Sequence, residues 1–600
     1  MRRRVDQEPA RVEGRPTAGA EGRRTARTEG RHERCGRGRR ATWVRGRRAT
    51  WVGLSMVLAV ALVACGADAG APSSGAAATS TTQAMIPNER GGITGGPADT
   101  EITDGGRLAF GLEAEPEGLD PTRFAFSQAG NTVASAVFDP LVTIDADGKA
   151  VPYLAKAIDP NNDFTVWTVT LPTDVKFHDG TPLTAAVVVQ NLEAYRASVI
   201  TGPPIHEIIT GVSETDLTHV AITLRLPYRN FPAALTSQIG YMVAPAMLAD
   251  PGLAKKPIGT GPFVFDRHQD NVSWSLRKNP SYWRAGLPHL DSIEFVPIAD
   301  DSKRAEKLRS GTLDLMQTIN GTDITELRQS DFKRVENRNG DIAFLTLNTT
   351  KPPFDSLTAR RAVAYATDSA KLRHEVYGDV ARPANSPYGT GKLGHLEDNG
   401  FPTFNPAKAA QLVQQYKAET GSDLTFTFIT SADIANAQGS QLLIPGFEAA
   451  GMKVTLQQLP QIQAIAQIAA GNYQMGQFRL FANASPEVDS TFYRSNSIAQ
   501  GISLNFPRFA TPEIDRLTEH AAGSGSPAEQ AADYERVSKI LADQVPYVWL
   551  AELDWMLAAN PRVNGVRGAA NGTLPTIGPK TWIAGLSVSK TAPASSTTTP

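Results

Sequence analysis

The 600-residue sequence predicts a mixed α/β protein built as two or more lobes. Three observations support this. Some 536 residues lie from Cys65 onward, too many for one hydrophobic core. Segments 165–171 and 220–226 alternate apolar and polar residues with the period of a strand. Between such runs lie helix-period segments that begin at capping residues.

Residues 1–52 hold 16 arginines, no lysine and six acids, and the octet Arg37–Val44 recurs at once as Arg45–Val52. A basic arm of this kind can bind nucleic acid. An export signal follows it, so no nucleic-acid partner is expected, and a start codon placed too far upstream is the more economical explanation. Arg45, Arg47 and Arg48 precede a 14-residue, mostly apolar run from Trp51 to Ala64. That run is too short to span a bilayer comfortably and fits a cleaved signal peptide. Cys65 directly follows Leu62-Val63-Ala64, a pattern similar to a bacterial lipobox, in which the cysteine is diacylated and becomes the new N-terminus. The competing readings are an ordinary signal peptide or a core helix with a chance cysteine. Lipidation at Cys65 would place the protein on the extracytoplasmic face of the cell membrane.

Without the leader, 43 basic residues face 55 acidic ones, a net charge of about −12. Neither nucleic acid nor an anionic membrane surface suits such a chain. Cys35 lies in the leader, so the exported chain is left with one cysteine and no internal disulfide. Residues 66–100 are rich in Ala, Gly, Ser, Thr and Pro and read as a tether, with folded sequence starting near Gly106. Residues 591–600 read as a disordered tail.

The individual elements follow from local chemistry. Trp167, Val169 and Leu171 share one face of a strand. Thr184 caps a helix from Ala185 to about Ala197, with Val188, Leu192 and Tyr195 on one stripe. Asn405-Pro406 opens a helix that buries Leu412, Val413 and Tyr416. Ser526-Pro-Ala-Glu529 is a capping box ahead of Tyr534, Val537 and Leu541. Pro546 stops that helix, and Tyr547–Leu550 reads as a buried strand.

No catalytic constellation emerges. The nine histidines are scattered and form no close metal-binding pair. His374-Glu375 begins like a zincin helix, but Gly378 stands where the second histidine belongs. Ser330–Lys333 matches Ser-x-x-Lys without its Lys-Thr-Gly partner. Gly259-Thr-Gly261 lacks the third glycine of a dinucleotide fingerprint, and no P-loop is present. The expectation is a non-enzymatic binding protein without cofactor or metal.

Longer segments carry a family resemblance. Glu115–Pro121, Phe138–Val142, Asp147-Gly148, Pro152–Ala155, Val175–Ala185, Pro257–Phe263, Asn279–Trp283, Gly311–Asp314, Leu347-Asn348 with Pro353-Phe354, and Arg360–Ala366 occur in the order expected of one family. They resemble the family 5 extracellular solute-binding proteins, the oligopeptide-, dipeptide- and nickel-binding class that serves ABC importers. The resemblance implies a two-lobed periplasmic-binding-protein-like fold (class II, the large peptide-binding type) that closes on its solute like a hinge. The expected boundaries are leader and signal 1–64, tether 65–105, lobe 1 at 106–345 with an inserted subdomain near 134–255, lobe 2 at 346–546, and a return to lobe 1 at 547–590. Two interlobe crossings are expected, near 344–347 and 547–550. Partners would be a peptide or other small solute and an ABC permease, with the protein acting as a monomer. A sensor using the same fold, or a secreted hydrolase, is the alternative.

The solute is less legible. Peptide-binding members carry Trp-x-x-Asp followed by Asp-Pro, whose first aspartate pairs with the peptide amino group. The matching stretch, Tyr473–Glu487, has lost the tryptophan and offers Asn483 or Ala484 where the acid belongs, with Arg479 nearby. The candidate ligand contacts are Phe124 and Phe126 after the Leu119–Pro121 turn, Tyr388 in a loop resembling a cleft loop, and Arg479, Phe481 and Asn483 in the altered anchor. For each aromatic, a core role is the competing reading. Arg479 is expected to meet an anionic group.

Overall fold

The computed structural model describes residues 96–567 and 580–589, apart from positions 117, 146–147, 199, 379, 482–485, 496–497 and 499–500. The leader, Cys65, Asn483 and the 591–600 tail lie outside the described residues. The chain enters on β1 (Arg107–Leu112) and passes through a short hairpin, β2 (Val142–Ile144) and β3 (Ala150–Pro152). It then builds β4 (Ala157–Pro160), β5 (Val166–Thr170), β6 (Ile209–Glu214) and β7 (His219–Leu224). Next come β8 (Phe263–Gln269), β9 (Ser273–Lys278), β10 (Ser292–Pro297), β11 (Leu315–Thr318) and the long β12 (Lys333–Leu347). The later strands are β13 (Thr425–Ser431), β14 (Lys453–Leu459), β15 (Met475–Phe481), β16 (Tyr547–Ala559) and the pair β17 (Val563–Asn564) and β18 (Ser587–Val588).

Ten of these strands form one mixed sheet, ordered β14-β13-β15-β12-β16-β11-β1-β10-β9-β8. The first-lobe strands lie on one side of the β12–β16 pair and the second-lobe strands on the other. Lys333–Asn337 of β12 pairs with Ala559–Trp555, and Asp341–Thr346 pairs with Leu553–Tyr547 after a register irregularity. β16 continues into the first lobe by pairing with β11, and β12 continues into the second by pairing with β15. The two expected crossings are therefore hydrogen-bonded neighbours, Phe344 opposite Trp549 and Thr346 opposite Tyr547. The β16 strand runs farther than expected, to Ala559, and every one of its residues is buried.

The inserted subdomain has its own core. β4, β5, β7 and β6 form an antiparallel sheet on which the helix Ala185–Ala197 packs. Trp167 and Val169 of β5 meet Val188, Leu192 and Tyr195 of that helix in a cluster that runs from Leu141 to Ala244. The Thr184 hydroxyl accepts from the Val187 amide as a cap should. Asn405 caps the helix Pro406–Thr420 through the Lys408 amide at 3.0 Å. Only half of the expected capping box forms at Ser526. Its hydroxyl accepts from the Glu529 amide, but the Glu529 carboxylate takes the Ser524 hydroxyl at 2.6 Å instead of reaching back.

The Phe177–Pro182 turn locks onto the Gly259–Gly261 turn. The His178 amide donates to the Gly259 carbonyl, the Gly259 amide donates to Nδ1 of His178, and Nε2–H donates to the Gly261 carbonyl at 2.9 Å. A Cβ at Gly259 or Gly261 would stand 2.1 or 2.6 Å from the Val137 carbonyl oxygen, so only glycine permits this approach. Burial pulls the His178 imidazole down to about 4, and it serves the fold as a neutral ring.

Contacts with the fold begin ahead of Gly106. Asp99 receives hydrogen bonds from buried Lys333 and from Arg567, and Asn564 accepts from the Thr100 amide. Thr103 donates to the Val588 carbonyl. Residues 99–103, inside the segment expected as tether, are thus held by polar groups distant in sequence.

His178→Ala is expected to cost about 2–4 kcal/mol at pH 7, from a lost buried hydrogen bond and a cavity. Unfolded wild type gains a proton at this histidine below pH 6.5, whereas the folded form stays neutral to about pH 4. The wild-type advantage should therefore shrink as pH falls through that window, by on the order of 3 kcal/mol. Denaturant titrations of both proteins at pH 7 and pH 4.5 check this, and a constant difference would contradict it.

Candidate functional site

Three charged side chains meet where the two lobes join. Glu113 follows the last residue of β1, Asp341 lies on the crossing strand β12, and Arg479 lies on second-lobe strand β15. Arg479 pairs with Ala343 in the sheet, and Phe481 with Asp341, so Arg479 and Asp341 lie on the same face of neighbouring strands. The Arg479 Nη2 donates to Oε1 of Glu113 at 2.9 Å, and its Nε stands 3.4 Å from Oδ2 of Asp341. The guanidinium also lies 5.0 Å from the centre of the Trp555 ring on β16, within range of a cation–π contact.

Burial sets the electrostatics of this triad. Asp341 is 3 % exposed, and burial pushes its carboxyl up to about 7. Arg479 and a hydrogen bond from Trp555 oppose that shift, while the charge of Glu113 reinforces it. Burial works against the charge of Arg479, yet Glu113, Asp341 and Asp433 together hold the guanidinium above its ordinary range. Tyr377, also buried, stands within electrostatic reach of Arg479, Asp433 and Asp341.

Arg479, expected to meet an anionic group, faces two carboxylates and an indole of the protein itself. Phe126 and Tyr388, also expected as ligand contacts, are both buried. Phe126 is packed in the largest core cluster, with its ring against Gly130 and its amide on the Gln238 side chain. Tyr388 is buried among Tyr493 and Tyr534, with its hydroxyl 2.7 Å from that of Tyr493. Both pack in cores and not on an open wall. Phe124 is half-buried over Gly118, in a turn held by Gln238 and by the Asp120–Arg123 pair. Phe481 is the last residue of β15, and Asn483 falls outside the described residues.

Glu113, Asp341 and Trp555 were missed from sequence. One signal was present: Asp341 opens the apolar run Ile342–Leu345, where a charge demands a partner. Among the described residues, Glu115, His268 and Asp270 bring three ligand atoms within 4.8 Å of one another. Protein groups already engage each of them. His268 Nε2 bonds Glu115 at 2.8 Å and stacks on Trp274, and Lys255 holds Asp270 at 2.6 Å.

Comparison with known proteins gives this site its context. Residues 149–501 match the model of the bacterial extracellular solute-binding proteins, family 5 (middle). This chain belongs to that family. It is 28 % identical over 463 residues to the glutathione-binding protein GsiB of Pectobacterium atrosepticum, covering 74 % of this chain and 88 % of that one. It is 25 % identical over 492 residues to di/tripeptide-binding protein 2 of Pseudomonas aeruginosa, covering 77 % and 92 %. The periplasmic binding protein DppA of Helicobacter pylori, solved with the peptide STSA, superimposes with a TM-score of 0.73 at 21 % identity over 81 % of this chain and 99 % of that one. The fold is thus the two-lobed α/β binding-protein fold with an inserted first-lobe subdomain, and the protein is an extracytoplasmic solute-binding protein, not an enzyme.

Arg479→Met should leave Glu113 and Asp341 facing each other without their cation. A loss of about 2–4 kcal/mol in denaturant stability at pH 7.5 is expected, set by the cost of an unpaired buried charge. The loss should shrink at pH 5, where the Asp341 carboxyl carries its proton. A loss independent of pH would contradict the ion-triad description.

Proposed function

We propose that this protein captures a peptide or peptide-like solute between its lobes and delivers it to the permease of an ABC importer. In this reading Cys65 carries a diacyl anchor, the segment before residue 99 is the tether, and the protein works as a monomer. The observation that carries the reading is the pair of long strands β12 and β16, which pair with each other and link the first-lobe strands to the second-lobe strands of a family 5 fold. Two paired strands can flex together, so a solute that contacts both lobes favours the closed form by its differential affinity. The named cargo of the relatives, glutathione in one and di- and tripeptides in another, supports a small peptide-like solute.

The test is native purification of the exported chain, mass spectrometry of the co-purified small molecules, and calorimetric titration with dipeptides, tripeptides and glutathione. A peptide-like solute should co-purify or bind with micromolar or tighter affinity, the range in which about 8 kcal/mol or more is gained. An empty protein that binds none of these contradicts the reading. Cys65→Ala should shift the protein from the membrane to the soluble fraction and abolish metabolic labelling with a fatty acid. Unchanged membrane association would contradict the anchor.

A further inference from the structure

We propose that Glu113 and Asp341 together form the cradle for the ammonium group of the solute, replacing the carboxylate that is missing at the Asn483–Ala484 position of the altered anchor loop. The inference rests on the peptide-like reading above and names how that solute is held. A buried ammonium needs a carboxylate partner. Residues 482–485 are Ala-Asn-Ala-Ser and supply none. The structure brings two carboxylates to the strand that leads into that loop, one from the end of β1 and one from β12.

Three features favour a cation as the missing component. With both acids ionised, the triad of Glu113, Asp341 and Arg479 carries one uncompensated negative charge. Oδ2 of Asp341 is buried and has no hydrogen-bond partner, although Arg479 Nε lies 3.4 Å away. Glu113 gives Arg479 only Oε1. An alkylammonium presents three donors around a point charge, so it suits two carboxylate oxygens that come from different elements. A solute amine held there would touch the first lobe through Glu113 and the crossing strand through Asp341, beside a second-lobe guanidinium.

The cradle predicts proton linkage. The groups facing Asp341 and its partner are Glu113 after β1, Arg479 on β15, Trp555 on β16, Tyr377 on the helix Ser369–Tyr377, and Asp433 at the start of the helix Ile434–Ala449. The Asp341 carboxyl, pushed up to about 7 without a solute, must lose its proton to receive the ammonium. Affinity for an amine should therefore rise between pH 5.5 and pH 7.5.

The test uses calorimetry on the exported chain with trialanine, N-acetyl-trialanine and glutathione. Asp341→Asn and Glu113→Gln serve as variants, with thermal melts to establish that each folds. For the wild type, trialanine should bind about 10- to 100-fold more tightly than its N-acetyl form, the span of one charge-assisted contact. Each variant should lose that preference while leaving the weak binding of the acetylated peptide unchanged. Asp341→Asn should also flatten the pH dependence. Wild type that binds neither trialanine nor glutathione overturns the peptide-like reading, and this inference with it. Wild type that binds trialanine with no loss on N-acetylation, or folded variants that keep the preference, overturns the cradle alone.

Discussion

The pairing of β12 with β16 is the constraint on which the other features of the molecule depend. The two strands are hydrogen-bonded neighbours at the centre of a ten-stranded sheet, and each extends into a different lobe through a different partner. A strand shifted by one residue would turn its apolar side chains to the wrong face, so this register is set by burial on both sides. The aromatic contacts of Phe344 with Tyr547 and Trp549 hold the second-lobe end. At the first-lobe end, Lys333 gathers Asp99, Asn564 and the Val563 carbonyl, so the incoming and outgoing segments of the chain share one buried ammonium.

Charge is concentrated on this hinge. Glu552 and Asp554 of β16 are buried; Arg382 pairs with both, the Thr390 amide and hydroxyl donate to Glu552, and Arg328 lies near Asp554. On the strand opposite, Asp341 has Arg479, which also reaches Glu113. Buried ion pairs of this kind add little net stability, because desolvation offsets the attraction. They do define geometry, since a displaced partner leaves a charge alone in a low-dielectric interior. The hinge is thus fixed in register by apolar pairing and in lateral position by charge.

Local chemistry was legible from sequence and long-range chemistry was not. The Thr184 and Asn405 caps and the alternating β5 strand follow from residues within a few positions of one another. The Glu113–Arg479 pair joins residues 366 apart in sequence, beyond the reach of any spacing rule. The sequence reading of a strand at Tyr547–Leu550 stops short of Glu552 and Asp554, whose partners Arg382 and Arg328 lie far away in sequence. Phe126 and Tyr388 show a further limit. An aromatic ring suits a core and a ligand wall equally, and only packing distinguishes them.

The central claim is that two lobes joined by β12 and β16 close on a solute. Small-angle X-ray scattering of the exported chain, with and without saturating solute, measures this most directly. The account predicts a smaller radius of gyration and a shorter maximum dimension on binding. A scattering profile unchanged at saturation would contradict closure as the working step.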